Sequence, residues 1–325
     1  MNICATASFL GLSICGKQSP VSAVVEQAFI EHLSAYGISY GTTEEYNFRL
    51  NLFAEKDAKL AEINANPLNT YTVGHNHMST WTHEEYKRLL GTRAPQNLTT
   101  VKMTHLSEEN LKDSIDWRAS GAVTGIKDQG QCGSCWAFSA TGSIEGHHQI
   151  QTGELLNLSE QQMVDCDQSD FGCNGGMQYS ALTYVHWYGQ ETTDSYPYHA
   201  SVGSCSYDEG ATRVKVDQAN FVEPNSVGQL KAAIAQGPTA VSLSADSADF
   251  QHYTSGVVNG DGCGTHVDHG VLAVGYGTDG SGTDYYIVKN SWGAGWGDNG
   301  YILIAAVDGI GICGIQSSSS WPTMQ

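Results

Sequence analysis

Residues 43–65 contain no glycine or proline, and the run stops before Pro67. At 100° per residue, Leu52, Phe53, Leu60 and Ile63 fall within about 100° of one another. Glu45, Arg49 and Asn64 border the same stripe, with Glu45 and Arg49 one turn apart as an i,i+4 ion pair. The pattern predicts an amphipathic helix over 43–65. Shorter helices are expected from Ser22 to Tyr36, and from Thr82 to Leu90, where Thr82 is an N-cap followed by Glu84 and Glu85. Beyond residue 110 the texture changes to glycine-rich, aromatic strand and loop. A loop with Gly130 and Gly133 runs to Ser134, a candidate N-cap, and 135–151 then reads as helix. Residues 267–275 read as a strand led by His269. Its hairpin partner is 285–291, across a turn at 278–283.

Charge divides the chain in the same place. Of 34 acidic and 15 basic residues, the first 110 positions hold 11 and 8, leaving 23 and 7 for the rest, a balance of -16 there. So acidic a chain is a poor partner for nucleic acid or anionic lipid. No apolar run approaches the ~18–20 residues that a membrane span needs.

Seven of the nine cysteines follow residue 130: Cys132, Cys135, Cys166, Cys173, Cys205, Cys263 and Cys313. Seven allows three disulfides and one remaining thiol, which suits an oxidising compartment. The apolar run 3–15 has the length of a signal-peptide core, though no basic residues precede it. Asn97 and Asn157 head glycosylation tripeptides. Cys132-Gly-Ser-Cys135 and Cys263-Gly-Thr-His266-Val-Asp-His269 also leave a zinc site open.

Cys135 is placed for reactivity. It opens the predicted helix, where the positive end of the dipole stabilises a thiolate. The predicted hairpin brings Asn290 close to His269, giving a base and an uncharged group to orient it.

The stretch from Gln129 to Trp136, then Asp268-His269-Gly270, then Asn290-Ser-Trp-Gly293 resembles the papain-like cysteine peptidases. Ser159-Glu-Gln-Gln-Met-Val-Asp-Cys166, Gly172-Cys-Asn-Gly-Gly176 and Gly293-Ala-Gly-Trp-Gly-Asp-Asn-Gly-Tyr301 follow the family's order and spacing. The resemblance covers residues 111–325. Glu45, Arg49, Phe53 and Asn64 match the propeptide signature of the cathepsin L-like branch, with Leu60 for its isoleucine and Lys56 for its asparagine. A second propeptide motif is half present: Gly74 and Asn76 match, but Met78 replaces an aromatic residue and Thr80 an aspartate.

The resemblance implies an α+β papain-like fold of two domains, a helical left one and a β-barrel-like right one, preceded by a helical propeptide. Residues 1–20 are then a signal peptide, 21–110 an inhibitory propeptide and 111–325 the peptidase. Cys135 is implied as nucleophile, His269 as its ion-pair partner and general acid, and Asn290 as the orienter of His269. Trp292 shields that last contact, and Gln129 donates to the oxyanion. Substrate would meet Gly175, Gly176, Met177, Gln178, Ser242, Asp268, Gly270, Trp296 and Ser318. Gly175 and Gly176 pair with its backbone, and the neutral Ser318 gives no counter-charge for arginine. Gln178 and Ser242 would give that pocket some tolerance of polar side chains. The implied disulfides are Cys132–Cys173, Cys166–Cys205 and Cys263–Cys313. That pairing removes the zinc reading, and no metal or organic cofactor is implied.

The function so implied is a cysteine endopeptidase made as a zymogen. It acts on proteins and peptides at acidic pH as a monomer, with its own propeptide as inhibitor and no nucleic-acid or membrane partner. It belongs in the secretory pathway, in a lysosome-like vesicle or outside the cell. A catalytically silent binding or storage protein on the same fold would lack Cys135 or His269. An exopeptidase would need a long insertion across the cleft, and none is seen. His75 and His77, around Asn76, are candidate acid sensors for activation.

Overall fold

The computed structural model describes residues 21–93, 103–260 and 262–325. The predicted signal segment and Asn97 lie outside the described residues. The described chain divides into two compact units, with the boundary between residues 58 and 59.

In the first unit, helix α1 (Ala23–Tyr36) is capped by Ser22, whose Oγ accepts from Val25 N at 3.3 Å. It stops at Gly37, whose positive φ of 62° suits a residue without Cβ. Helix α2 (Thr43–Ala65) has the predicted bounds. Phe29, Leu50 and Phe53 form a small core, and Arg49 Nε meets Glu45 at 2.6 Å.

The second unit holds two larger cores. The helical one is built on α4 (Cys135–Thr152), with α5 (Glu160–Cys166) and α6 (Gln178–Tyr188) packed against it. Trp136, Ala137, Ala140 and Ile144 of α4 are wholly enclosed. Ser134 does not cap this helix as expected: its Oγ pairs with Tyr198 Oη at 2.7 Å.

The other core lies on a sheet. Strand β7 (His269–Thr278) pairs antiparallel with β8 (Asp284–Lys289) on one side and β5 (Thr239–Leu243) on the other. Strands β9 (Tyr301–Ala305) and β6 (Tyr253–Val258) extend it one way. Strands β10 (Ser319–Met324) and β4 (Val216–Val222) extend it the other way. β5 is buried on both faces, which explains its unbroken apolar and small-residue sequence.

The compact-unit boundary falls at 58/59, inside α2. Leu60, Ile63, Tyr71, Val73, Met78, Tyr86 and Leu89 join the same core as Phe250, Tyr253, Trp292 and Trp296. Strand β1 (Tyr71–Val73) pairs with β6, and β2 (Met103–Thr104) pairs parallel with β4. Helix α3 (His83–Lys87) has its capping box at Thr82 and Glu85 but ends before Leu90, because the chain then extends into the cleft.

The disulfides are Cys132–Cys173, Cys166–Cys205 and Cys263–Cys313, with Cα separations of 4.6, 4.8 and 5.2 Å. Each closes a loop of some 40–50 residues, worth ~2–4 kcal/mol. Cys135 remains a thiol. Among the described residues no trio of metal-ligating side chains is gathered, and no helix is long and apolar enough to cross a membrane.

Candidate active site

Cys135 opens α4, and His269 opens β7. Gly270, next to His269, packs directly on Cys135, so the helix start and the strand start meet. Gly270 has no room to spare: a Cβ would stand 3.2 Å from Cys135 O and 2.7 Å from Gln178 Nε2. Asn290 follows the end of β8, and its Oδ1 lies 2.8 Å from His269 Nε2. The indole of Trp292 covers His269, with ring centroids 4.6 Å apart. The other imidazole nitrogen, Nδ1, is buried without a hydrogen-bond partner.

Gln129 is anchored from both ends. Its Oε1 accepts from Ser291 Oγ at 2.8 Å and from Trp292 Nε1 at 3.1 Å. Its Nε2 is occupied: it donates to Cys132 O at 2.8 Å and to Leu89 O at 2.9 Å. The carbonyl of Leu89 therefore takes the donor expected to serve an oxyanion.

Leu89 begins the segment 89–93, to which the sequence assigned no place in the cleft. Gly91 N donates to the Cys135 sulfur at 3.3 Å, and Thr92 Oγ1 lies 3.7 Å from it. Thr92 N donates to Asp268 O at 2.9 Å. Gly176 N donates to Gly91 O at 2.8 Å, and Arg93 N to Gly176 O at 2.9 Å, which makes a parallel bridge of Thr92 with Gly176. The residues expected to bind substrate backbone are thus filled by the chain itself.

This occupancy sets the protonation states. Burial pushes the Cys135 thiol up, against the N–H groups of Gly270 and Gly91 that favour a thiolate. The helix-start argument alone gave the opposite sign, because it omitted desolvation. Burial also holds His269 down to about 4 despite its bond to Asn290. Both shifts favour the neutral thiol and the neutral imidazole.

The side-pocket residues are placed together, with two differences. Gln178 Nε2 donates to Val241 O and to Ser242 Oγ, both at 3.1 Å, so much of their polarity is already satisfied. Ser318 lies beside Ser242 in the sheet, its carbonyl accepting from Ser242 N at 2.9 Å. Trp296 does not line an open surface here. It is fully enclosed among Phe250, Tyr253 and Trp292, and its Nε1 donates to Gln251 O at 3.1 Å. Asn76 Nδ2 reaches the same carbonyl at 2.7 Å, and Met78 shares the same core.

Behind the site the structure reveals a buried ion cluster that was not expected. Lys127 Nζ lies 2.8 Å from Glu145 and 2.5 Å from Glu160. Lys289 donates to Thr124 O at 2.9 Å. The cluster ties the strand end that carries Asn290 to the loop that carries Gln129. His147 is a packing residue, stacked on Trp321 and held down to about 4 by burial.

The papain family cysteine protease description matches residues 111–323, and the cathepsin propeptide inhibitor domain matches 29–86. The chain is 38% identical to papain of Carica papaya over 91% of this chain and 86% of that protein. It is 41% identical to cysteine endopeptidase RepA of Oryza sativa, over 84% and 77% of the two chains. Among solved structures, a recombinant stem bromelain precursor aligns with a TM-score of 0.85 at 35% identity, covering 93% of this chain and 99% of that one. The ragweed pollen cysteine protease Amb a 11, in its proform, aligns with a TM-score of 0.82 at 32% identity, covering 94% and 96%. With a thiol, an imidazole and an amide gathered under a built-in plug, the chain belongs to the papain family of cysteine proteases and carries that family's inhibitory propeptide.

Proposed function

We propose that Cys135, His269, Asn290 and Gln129 carry peptide-bond hydrolysis once residues 21–110 leave residues 111–325. The supporting observation is the Asn290–His269 bond at 2.8 Å, with the residue after His269 packed directly on Cys135. Release of the plug readmits water. This lifts the desolvation that keeps the thiol high and the imidazole low, and thiolate with imidazolium becomes accessible. The sulfur attacks the substrate carbonyl carbon, and the oxyanion is held by the freed Gln129 amide and the Cys135 N–H. His269 gives its proton to the departing amine as the C–N bond breaks. Water, deprotonated by His269, then releases the acid from the thioester.

The parallel bridge at Gly176 supports Gly175 and Gly176 as the substrate's backbone partners, with Asp268 O accepting a substrate N–H. Met177, Gln178, Ser242, Gly270 and Ser318 are assigned to a neutral side pocket that prefers medium to large apolar residues. Trp296 joins the cleft only after Met78 and Asn76 depart. Three disulfides support a route through an oxidising compartment. The propeptide supports activation in an acidic vesicle or outside the cell, and the mature enzyme is read as a monomer.

Covalent labelling tests the central reading. Acid-processed enzyme should cleave a fluorogenic peptide and lose activity to a thiol-directed epoxide at Cys135. Cys135→Ala should abolish both. An active Cys135→Ala enzyme would sink the assignment, and N-terminal sequencing of processed enzyme checks the boundary at 110/111.

A further inference from the structure

Asp167 and Asp170 stand outside every role described so far. Asp167 follows α5 and is buried, and Asp170 is partly buried three residues later. One oxygen of each has a donor: Asp167 Oδ1 accepts from Ser169 N at 2.8 Å, and Asp170 Oδ1 from Met177 N at 3.0 Å. The Oδ2 of each is enclosed and receives no donor from the protein. The two carboxyl groups contact each other. Two enclosed carboxylate oxygens in contact repel and cannot be solvated, so a proton between them is the arrangement that removes the cost.

The pair backs the strand that receives the chain in the cleft. A Cβ on Gly176 would stand 2.8 Å from Asp170 Cγ and 2.5 Å from the Trp136 ring. Gly176 and Met177 are therefore held between the indole and the carboxyl group. Arg93 of the propeptide favours ionised Asp170, and Tyr184 of α6 faces Asp167.

We propose that Asp167 and Asp170 share one proton, and that the protonated pair positions Gly176 and Met177 for pairing with a substrate backbone. The proposal rests on the reading of Gly176 as a substrate-pairing residue. Desolvation and the neighbouring carboxyl group push Asp170 up to about 8. Below that pH the pair carries one charge and stays closed. Above it two like charges meet, Asp170 is driven off Asp167, and its bond to Met177 N slackens. Arg93 leaves with the propeptide, so the mature enzyme keeps the shared proton to higher pH than the proform. The pair touches no reacting atom, so its state is read in KM and not in kcat.

Steady-state kinetics of the acid-processed enzyme from pH 5 to 9 test this, with wild type, Asp170→Asn and Asp167→Asn. Loss of one backbone hydrogen bond predicts a wild-type KM that rises about three- to tenfold across the alkaline half of the range. Either substitution removes the like-charge contact and should flatten that rise, leaving the pH profile of kcat unchanged. A rise kept by the variants, or removed by only one of them, overturns the proposal. A second readout needs no activity: melting of the full chain carrying Cys135→Ala. The raised Asp170 makes the folded state hold a proton that the unfolded chain has lost between pH about 4 and about 8. Stability is therefore lost as pH rises through that window. Asp170→Asn should lose less, and equal slopes overturn the shared proton. An inactive wild-type enzyme would overturn the functional reading, and the melting comparison would still decide the pair.

Discussion

Gly91→Ala should open the zymogen. A Cβ at Gly91 would stand 1.9 Å from Gly133 O, 2.5 Å from Gly133 C and 2.8 Å from Gly133 Cα. All three are backbone atoms, so no side chain can swing away. The wall cannot retreat either: Gly133 N is bonded to Cys173 O at 3.0 Å, and Cys132 and Cys173 are joined by a disulfide. The inhibitory segment must therefore lift. Lifting breaks the contact of Gly91 N with the Cys135 sulfur at 3.3 Å, the bond of Gly176 N to Gly91 O at 2.8 Å and that of Thr92 N to Asp268 O at 2.9 Å. At about 1 kcal/mol each, these total ~3 kcal/mol, or roughly a hundredfold in the open fraction. The assay is the rate at which an epoxide labels Cys135 in intact, unprocessed proenzyme at neutral pH. Gly91→Ala should raise that rate by about two orders of magnitude. Gly41→Ala, where a Cβ meets nothing within 4 Å, serves as control. Equal rates in Gly91→Ala and wild type would refute the steric argument.

Burial lowers His77 below the ordinary histidine range, so charging it in acid costs propeptide packing. That contribution to stability is present at neutral pH and is lost as pH falls below about 6.5. The double change His75→Gln, His77→Gln should move the midpoint of autoprocessing to lower pH, and an unmoved midpoint would leave carboxylates as the trigger. Lys127→Ala strands Glu145 and Glu160 and should destabilise the fold by about 3–5 kcal/mol in denaturant unfolding. A loss under 1 kcal/mol would refute the burial argument. Ser318→Glu should gain cleavage after sites with arginine two residues upstream, read as a ratio of kcat/KM for arginine and leucine peptides. No change in that ratio would place Ser318 away from the pocket.

Local chemistry made much of this legible in the sequence. The helix over 43–65 keeps its predicted bounds because its apolar stripe and its Glu45–Arg49 pair are set by 3.6-residue spacing. The hairpin of β7 and β8 follows from two apolar runs around a polar turn, and it brings Asn290 to His269 as expected. The motifs from Gln129 to Trp136 and around His269 carried the family, and the disulfide pairs came with it.

Contacts distant in sequence were not legible. Lys127, Glu145 and Glu160 look like surface charges one by one, and only their enclosure makes them a cluster. Asp167 and Asp170 look like loop acids until the fold presses them together behind Gly176. The ionisation of Cys135 was misjudged because a helix start is a local feature, whereas burial comes from residues 89–93 arriving from elsewhere. Residue type and short spacing were enough to single out the groups suited to chemistry, since reactivity begins with both. Tertiary structure alone decided their protonation and their access, since desolvation depends on everything that packs around a group.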